Sequence, residues 1–107
     1  MPMINIEYDD AKVTDVEITN LAEAAQKIVS EATRIEDVFV YANSAHIKLK
    51  IAPIEIFIRM SASKISDRER LFNEIKKRLS EWKSNSGFPQ HLNLTLIPMD
   101  WKFETGI

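Results

Sequence analysis

The sequence predicts an α+β domain in which two βαβ units form one four-stranded sheet, with two helices on one face and short strands at its edges. Three observations predict it. Residues 2–8 and 53–60 alternate apolar with polar side chains, the period of a strand with one buried face. Each stretch is followed by a helix-start signal and an apolar stripe at spacings of three and four. The two stripes are in register: Phe72, Ile75, Leu79 and Trp82 each lie 54 positions after Ile18, Leu21, Ala25 and Ile28.

The elements follow in order. In "MPMINIEY", Ile4, Ile6 and Tyr8 share one face, and Met3, Asn5 and Glu7 the other. "DDAKVTDV" breaks the alternation. Thr14 and Glu17 fit a capping box, in which hydroxyl and carboxylate each satisfy a backbone N–H of the first turn. The stripe Ile18, Leu21, Ala25, Ile28, Ala32 then predicts a helix that fades near Thr33. "VFVYA" at 38–42 is β-branched and aromatic, hence a strand. "NSAHIKLKIA" predicts a turn at Asn43-Ser44 and a short strand in which Ile47, Leu49 and Ile51 alternate with His46, Lys48 and Lys50.

The second unit repeats this order. Ile54, Ile56, Ile58 and Met60 oppose Glu55, Phe57 and Arg59. Ser66 and Glu69 predict a second capping box, and Gly87 and Pro89 end the helix that follows. "LNLTLIP" at 92–98 closes the sheet, and "WKFETGI" predicts a last short strand. The whole chain, 1–107, reads as one domain with pseudo-repeats at 1–42 and 53–98. Two architectures share this order, a ferredoxin-like plait and a fold in which two βαβ units make a four-stranded sheet under two helices, and order alone does not separate them.

Composition narrows the function. A formal net charge of −2 does not favour a nucleic-acid surface, which is normally basic. Without cysteine there is no disulfide, thiol nucleophile or Cys-based metal site. His46 and His91 share no metal-ligand spacing with a carboxylate, so neither a metal nor a cofactor is expected. Ser61, Ser63 and Ser66 have no accompanying His-Asp arrangement and read as loop and cap residues. The longest apolar-rich run, "IAPIEIFI", is too short to span a bilayer. No signal peptide is evident, and a cytoplasmic location is expected.

Pro2 is the residue with unusual chemical reach. Its plain reading is the first residue of a strand, where a missing N–H is tolerated. Freed of Met1, however, its nitrogen is a secondary amine on a rigid ring. A free α-amino group titrates near ~8, and apolar burial or nearby cations lower that value toward neutrality. Such a base can take a proton from carbon α to a carbonyl and return it elsewhere.

"MPMINIEY", "SEATRIEDVFV", "PIEIFIRMSASKIS" and "LNLTLIPMD" with its aromatic tail, in this order and at this length, resemble the tautomerase superfamily. The likeness is to the branch with two units per chain, typified by macrophage migration inhibitory factor and the carboxymethyl-hydroxymuconate isomerases. The second half is also similar to small uncharacterised bacterial tautomerase-like proteins. The resemblance implies a homotrimer and a Pro2-dependent tautomerase or isomerase of a small oxo-acid or enol. Pro2 would be the catalytic base, and Arg34 would meet a substrate carboxylate at the pocket mouth. Ala62 would supply a backbone N–H, with Lys64 beside it. Asn93 falls where that branch places a tyrosine from a neighbouring subunit; an amide can donate a hydrogen bond but is no general acid. The alternatives are a non-catalytic protein of this fold that binds a ligand or partner, and a ferredoxin-like binding or regulatory domain. Arg34, Arg59 and Lys64 have the plainer reading of solvated charges, and "DRERLFNEIKKR" that of a helix with its charges on the wet face.

Overall fold

The computed structural model describes residues 1–107. Its elements are β1 (Met3–Tyr8), α1 (Asp15–Thr33), β2 (Phe39–Ser44), β3 (Ile54–Ser61), a 3₁₀ turn (Ala62–Lys64), α2 (Arg68–Ser86) and β4 (Asn93–Met99). The sheet runs β2-β1-β3-β4. β1 pairs parallel to β2 and β3 parallel to β4, while the central pair β1–β3 is antiparallel. Each helix therefore returns the chain to the strand beside the one it left. A split βαβ would insert a strand between them, so this strand order excludes the plait.

The predicted alternation decides what is buried. Ile4 and Ile6 of β1, and Ile54, Ile56, Ile58 and Met60 of β3, are at most 1% exposed and point toward the helices. Ile18, Leu21, Ala25 and Ile28 of α1 meet them, as do Ile75 and Leu79 of α2. Fully burying an Ile or Leu side chain contributes ~1.5–3 kcal/mol each. Ala32, Trp82, Leu94 and Leu96 pack at the edge of this core. The other sheet face is uncovered by the chain itself. It carries Asn5, Glu55, Phe57, Arg59, Asn93 and Thr95, with Phe39 and Tyr41 about half exposed (44% and 50%).

The first capping box forms as the sequence predicts: Thr14 Oγ1 accepts from the Glu17 N–H, and Glu17 Oε1 accepts from the Thr14 N–H. The second does not. Asp67, not Ser66, caps α2, with Oδ1 accepting from the Arg70 N–H at 3.1 Å. A carboxylate is the better acceptor at a positive helix end. Gly87, in the left-handed region at φ 70°, closes α2, where glycine carries no Cβ penalty.

Three other expectations change. Asn43 and Ser44 do not turn; they continue β2 opposite Glu7 and Tyr8. Residues 46–51 form no strand within the chain; no strand of the chain lies beside them, and the Lys48 side chain pairs with Asp9 and Asp10. The tail forms none either; Trp101 Nε1 donates to Ser61 Oγ at 2.8 Å and fastens it beside the end of β3. No helix is long and apolar enough to cross a membrane.

Candidate active site at the Pro2 end of the sheet

The strand directions gather most of the predicted residues at one end of the molecule. β1 and β2 begin there, and β3 and β4 end there. Pro2 stands one position beyond the Met3–Arg59 pair and so flanks Met60. Its side chain is less than 2% exposed. Its carbonyl accepts from the Phe39 N–H at 3.1 Å, which ties the start of β1 to the start of β2. Val38 and Met60, 4% and 1% exposed, make this end apolar. With Met1 attached, the Pro2 nitrogen is an amide whose lone pair is delocalised. It is a base only when free.

Arg34 caps α1 with φ 59° and ψ 32° and is the only non-glycine residue at positive φ. Glycine or asparagine ordinarily fills such a cap. The helix end is held from both sides: Thr33 Oγ1 donates to the Val29 carbonyl and Ser30 Oγ to the Ile35 carbonyl. The left-handed residue turns the chain out of α1 and leaves Arg34 exposed at the rim.

Ala62 opens the 3₁₀ turn that follows β3, and its carbonyl accepts from the Ile65 N–H. Lys64 ends that turn. Arg34 and Lys64 line one cleft of about 520 Å³ between the C-terminus of α1 and the start of α2. Pro2 and Ala62 do not line it. Arg70 and Arg78 do, although the sequence alone assigns both to the wet face of α2. The usable signal was their spacing with Glu74, four residues apart each time, which puts all three on one helix face.

Asn93 lies at the far end of the sheet. It opposes Glu55 and donates to its Oε1 at 2.9 Å. Within one chain it is separated from Pro2 by the length of β3. On the open sheet face, the Arg59 guanidinium donates to Asn5 Oδ1 at 3.1 Å and sits 5.7 Å from the centre of the Phe57 ring. Arg59 is thereby fixed to the sheet rather than free at the cleft.

No protein-family model matches the chain, and no curated protein matches it. Solved structures do. Malonate semialdehyde decarboxylase, solved also with its first-position proline exchanged for alanine and in an inactivated form, superposes with a TM-score of 0.69 at 15% identity, over 98% of this chain and 92% of that one. A fused 4-OT described as an asymmetric trimer gives 0.67 at 13% identity, over 94% and 91%. A macrophage migration inhibitory factor-like protein from Entamoeba histolytica gives 0.56 at 22% identity, over 96% and 95%. All are tautomerase superfamily structures, and the superpositions run nearly end to end. With its two βαβ units side by side in one sheet, the chain has the tautomerase fold.

Proposed function

We propose that the protein is a tautomerase or isomerase of a small oxo-acid or enol, acting through the free amine of Pro2 as a homotrimer in the cytoplasm. The observation that carries this reading is the position of Pro2. It is buried among apolar side chains at the end of the sheet where α1 and β3 finish, the end that also carries Arg34 and the Ala62–Lys64 turn. An apolar surround and nearby cations both disfavour the protonated amine. Once Met1 is removed, the amine would abstract a proton from carbon α to a carbonyl. Arg34 and Lys64 would hold the carboxylate, and the Ala62 N–H would face the enolate oxygen. The amine then returns the proton at the other end of the enolate.

The trimer is supported by what one chain leaves uncovered. Phe39 and Tyr41 face outward on the open sheet face, and Ile47 and Leu49 are 80% and 99% exposed on a segment with no strand partner. Packing three sheets around an axis would cover this surface and bring Asn93 of a neighbouring chain toward Pro2.

The test is ketonisation of an enol of phenylpyruvate by protein lacking Met1, by protein retaining it, and by the Pro2→Ala variant. The first form should exceed the other two by ~10²-fold or more. Equal rates in all three would reduce Pro2 to the first residue of a strand. No turnover in any, with ligand binding retained, would favour the non-catalytic reading.

A further inference from the structure

We propose that the fold guards the Met1–Pro2 bond, so that the amine of Pro2 is released before β1 takes its place in the sheet and not after. The reading of Pro2 as a base gives this its functional consequence, a point of control over the reagent; the geometry stands without it. β1 is a central strand, with β2 on one side and β3 on the other. A chain that starts on an edge strand peels its first residues away by breaking one ladder. Here Met3 pairs with both Phe39 and Arg59, and the Pro2 carbonyl already accepts from the Phe39 N–H at 3.1 Å. Pro2 is less than 2% exposed and Met1 is half-buried. Continuing the register places Met1 level with Ser61, the residue to which the Trp101 indole N–H is fastened. The tail therefore adds a wall on the β3 side of the same end.

Releasing the amine is a hydrolysis. Water adds its hydroxyl to the Met1 carbonyl carbon, the C–N bond breaks, and the Pro2 nitrogen takes the proton. The products are free methionine and a chain that starts with a secondary amine. An aminopeptidase that performs this step must seat Met1 in its own pocket, with the next residues extended into its cleft. Pro2 and Met3 are not available for that while they are paired in the sheet. Cleavage of the folded chain therefore waits for a local opening that breaks hydrogen bonds to both neighbouring strands and lifts Pro2 away from Val38 and Met60. Ordinary termini fray at almost no cost; a terminus inside a central strand opens at a cost closer to that of the core. The amide-blocked and free-amine forms thus do not interchange once the chain has folded, and the fraction carrying the amine is set during synthesis.

The test reads loss of Met1 by intact mass and not by turnover, so it is independent of catalysis by Pro2. A methionine aminopeptidase is given the folded chain retaining Met1, a peptide of residues 1–8, and the folded chain with an added Met-Pro-Gly-Ser-Gly-Ser segment ahead of Met1. The peptide and the extended chain should lose their first methionine at similar rates. The folded chain should lose Met1 more slowly by ~10²-fold or more, the population of the open form setting the rate. The same factor should appear in native-state hydrogen exchange as protection of the Phe39 N–H, because both report one opening. Equal rates for folded chain and peptide would overturn the proposal, as would an extended chain as resistant as the native one. Slow loss of Met1 beside an unprotected Phe39 N–H would overturn it too. A chain without Met1 that turns over no enol would remove the catalytic reading and leave this one standing.

Discussion

Lys48 Nζ donates to Asp9 Oδ1 at 3.0 Å, across 39 positions of sequence, and also reaches Asp10. Asp9 is the one charged residue among the buried set, at 8% exposed. Its own backbone N–H donates to the Pro53 carbonyl, so this corner joins the end of β1, the 45–53 segment and the start of β3. The Lys48 hydrogen bond, then the Ala11 N–H, hold the Asp9 carboxyl below its ordinary value. The same lysine lowers Asp10, and the two carboxylates raise Lys48.

The sign of the pH dependence follows. A carboxyl depressed in the folded state contributes stability that is present above its unfolded value, ~3.9, and is lost as pH falls through the lower folded value. A raised lysine contributes stability that is present below ~10.4 and is lost as pH rises through its higher folded value. Lys48→Met should therefore destabilise the protein most between these limits, and its melting temperature should converge on the wild type's in strong acid. A constant gap across the acid range would show that Lys48 acts through packing alone. The same variant should raise hydrogen exchange in residues 45–52, since the clasp is the only side-chain bond anchoring that segment.

Arg34 is held in a backbone conformation that favours glycine. Arg34→Gly should be neutral or stabilising, by up to ~1 kcal/mol, because the left-handed cap no longer opposes a Cβ. It should still raise KM for an acidic substrate more than it lowers kcat, the signature of a lost binding contact. Arg34→Ala should show the same kinetics without the gain in stability. A loss of stability in the glycine variant would mean that the side chain, not its function, maintains the turn.

The two candidate caps of α2 separate cleanly. Asp67→Ala should cost ~0.5–2 kcal/mol in a denaturant titration, because it strands the Arg70 N–H. Ser66→Ala should cost little. The reverse ranking would restore the capping box that the S/T-x-x-E pattern suggests.

The caps of α2 mark the boundary of what the sequence carries. Ile4, Ile6, Ile54, Ile56 and Ile58 announce their buried face because strand period and burial are the same local fact. Thr14 and Glu17 are legible for the same reason, being three residues apart. Ser66 and Asp67 were both able to cap, and a one-residue choice between two acceptors depends on how α2 meets the sheet. The 45–53 segment has a strand's alternation but no strand neighbour, and Lys48 answers to Asp9, 39 positions away. Arg70 was hidden by its setting: it stays exposed on a polar helix face, and only the fold brings Arg34 and Lys64 to the same cleft. Pro2 and Arg34 were legible as candidates through resemblance. Their common end of the sheet follows only from strand directions.

Asn93 supplies the last prediction, because one chain cannot bring it to Pro2. Its amide donates to Glu55 at the opposite end of β3 and β4. In the proposed trimer each site would take Pro2 from one chain and Asn93 from the next, so the two residues can be separated genetically and rejoined by mixing. Pro2→Ala and Asn93→Ala trimers should each be impaired, the second by about tenfold or more for a lost hydrogen bond to a charged intermediate. Unfolded together and refolded in equal amounts, they should form mixed trimers in which some sites receive both native residues. The recovered rate should approach about a quarter of wild type, as expected for random assembly around a closed symmetry axis. Light scattering on the same samples checks that trimers have formed. Trimers without recovered activity would place Asn93 outside the site and leave its bond to Glu55 as a structural one. Monomers would remove the shared site altogether.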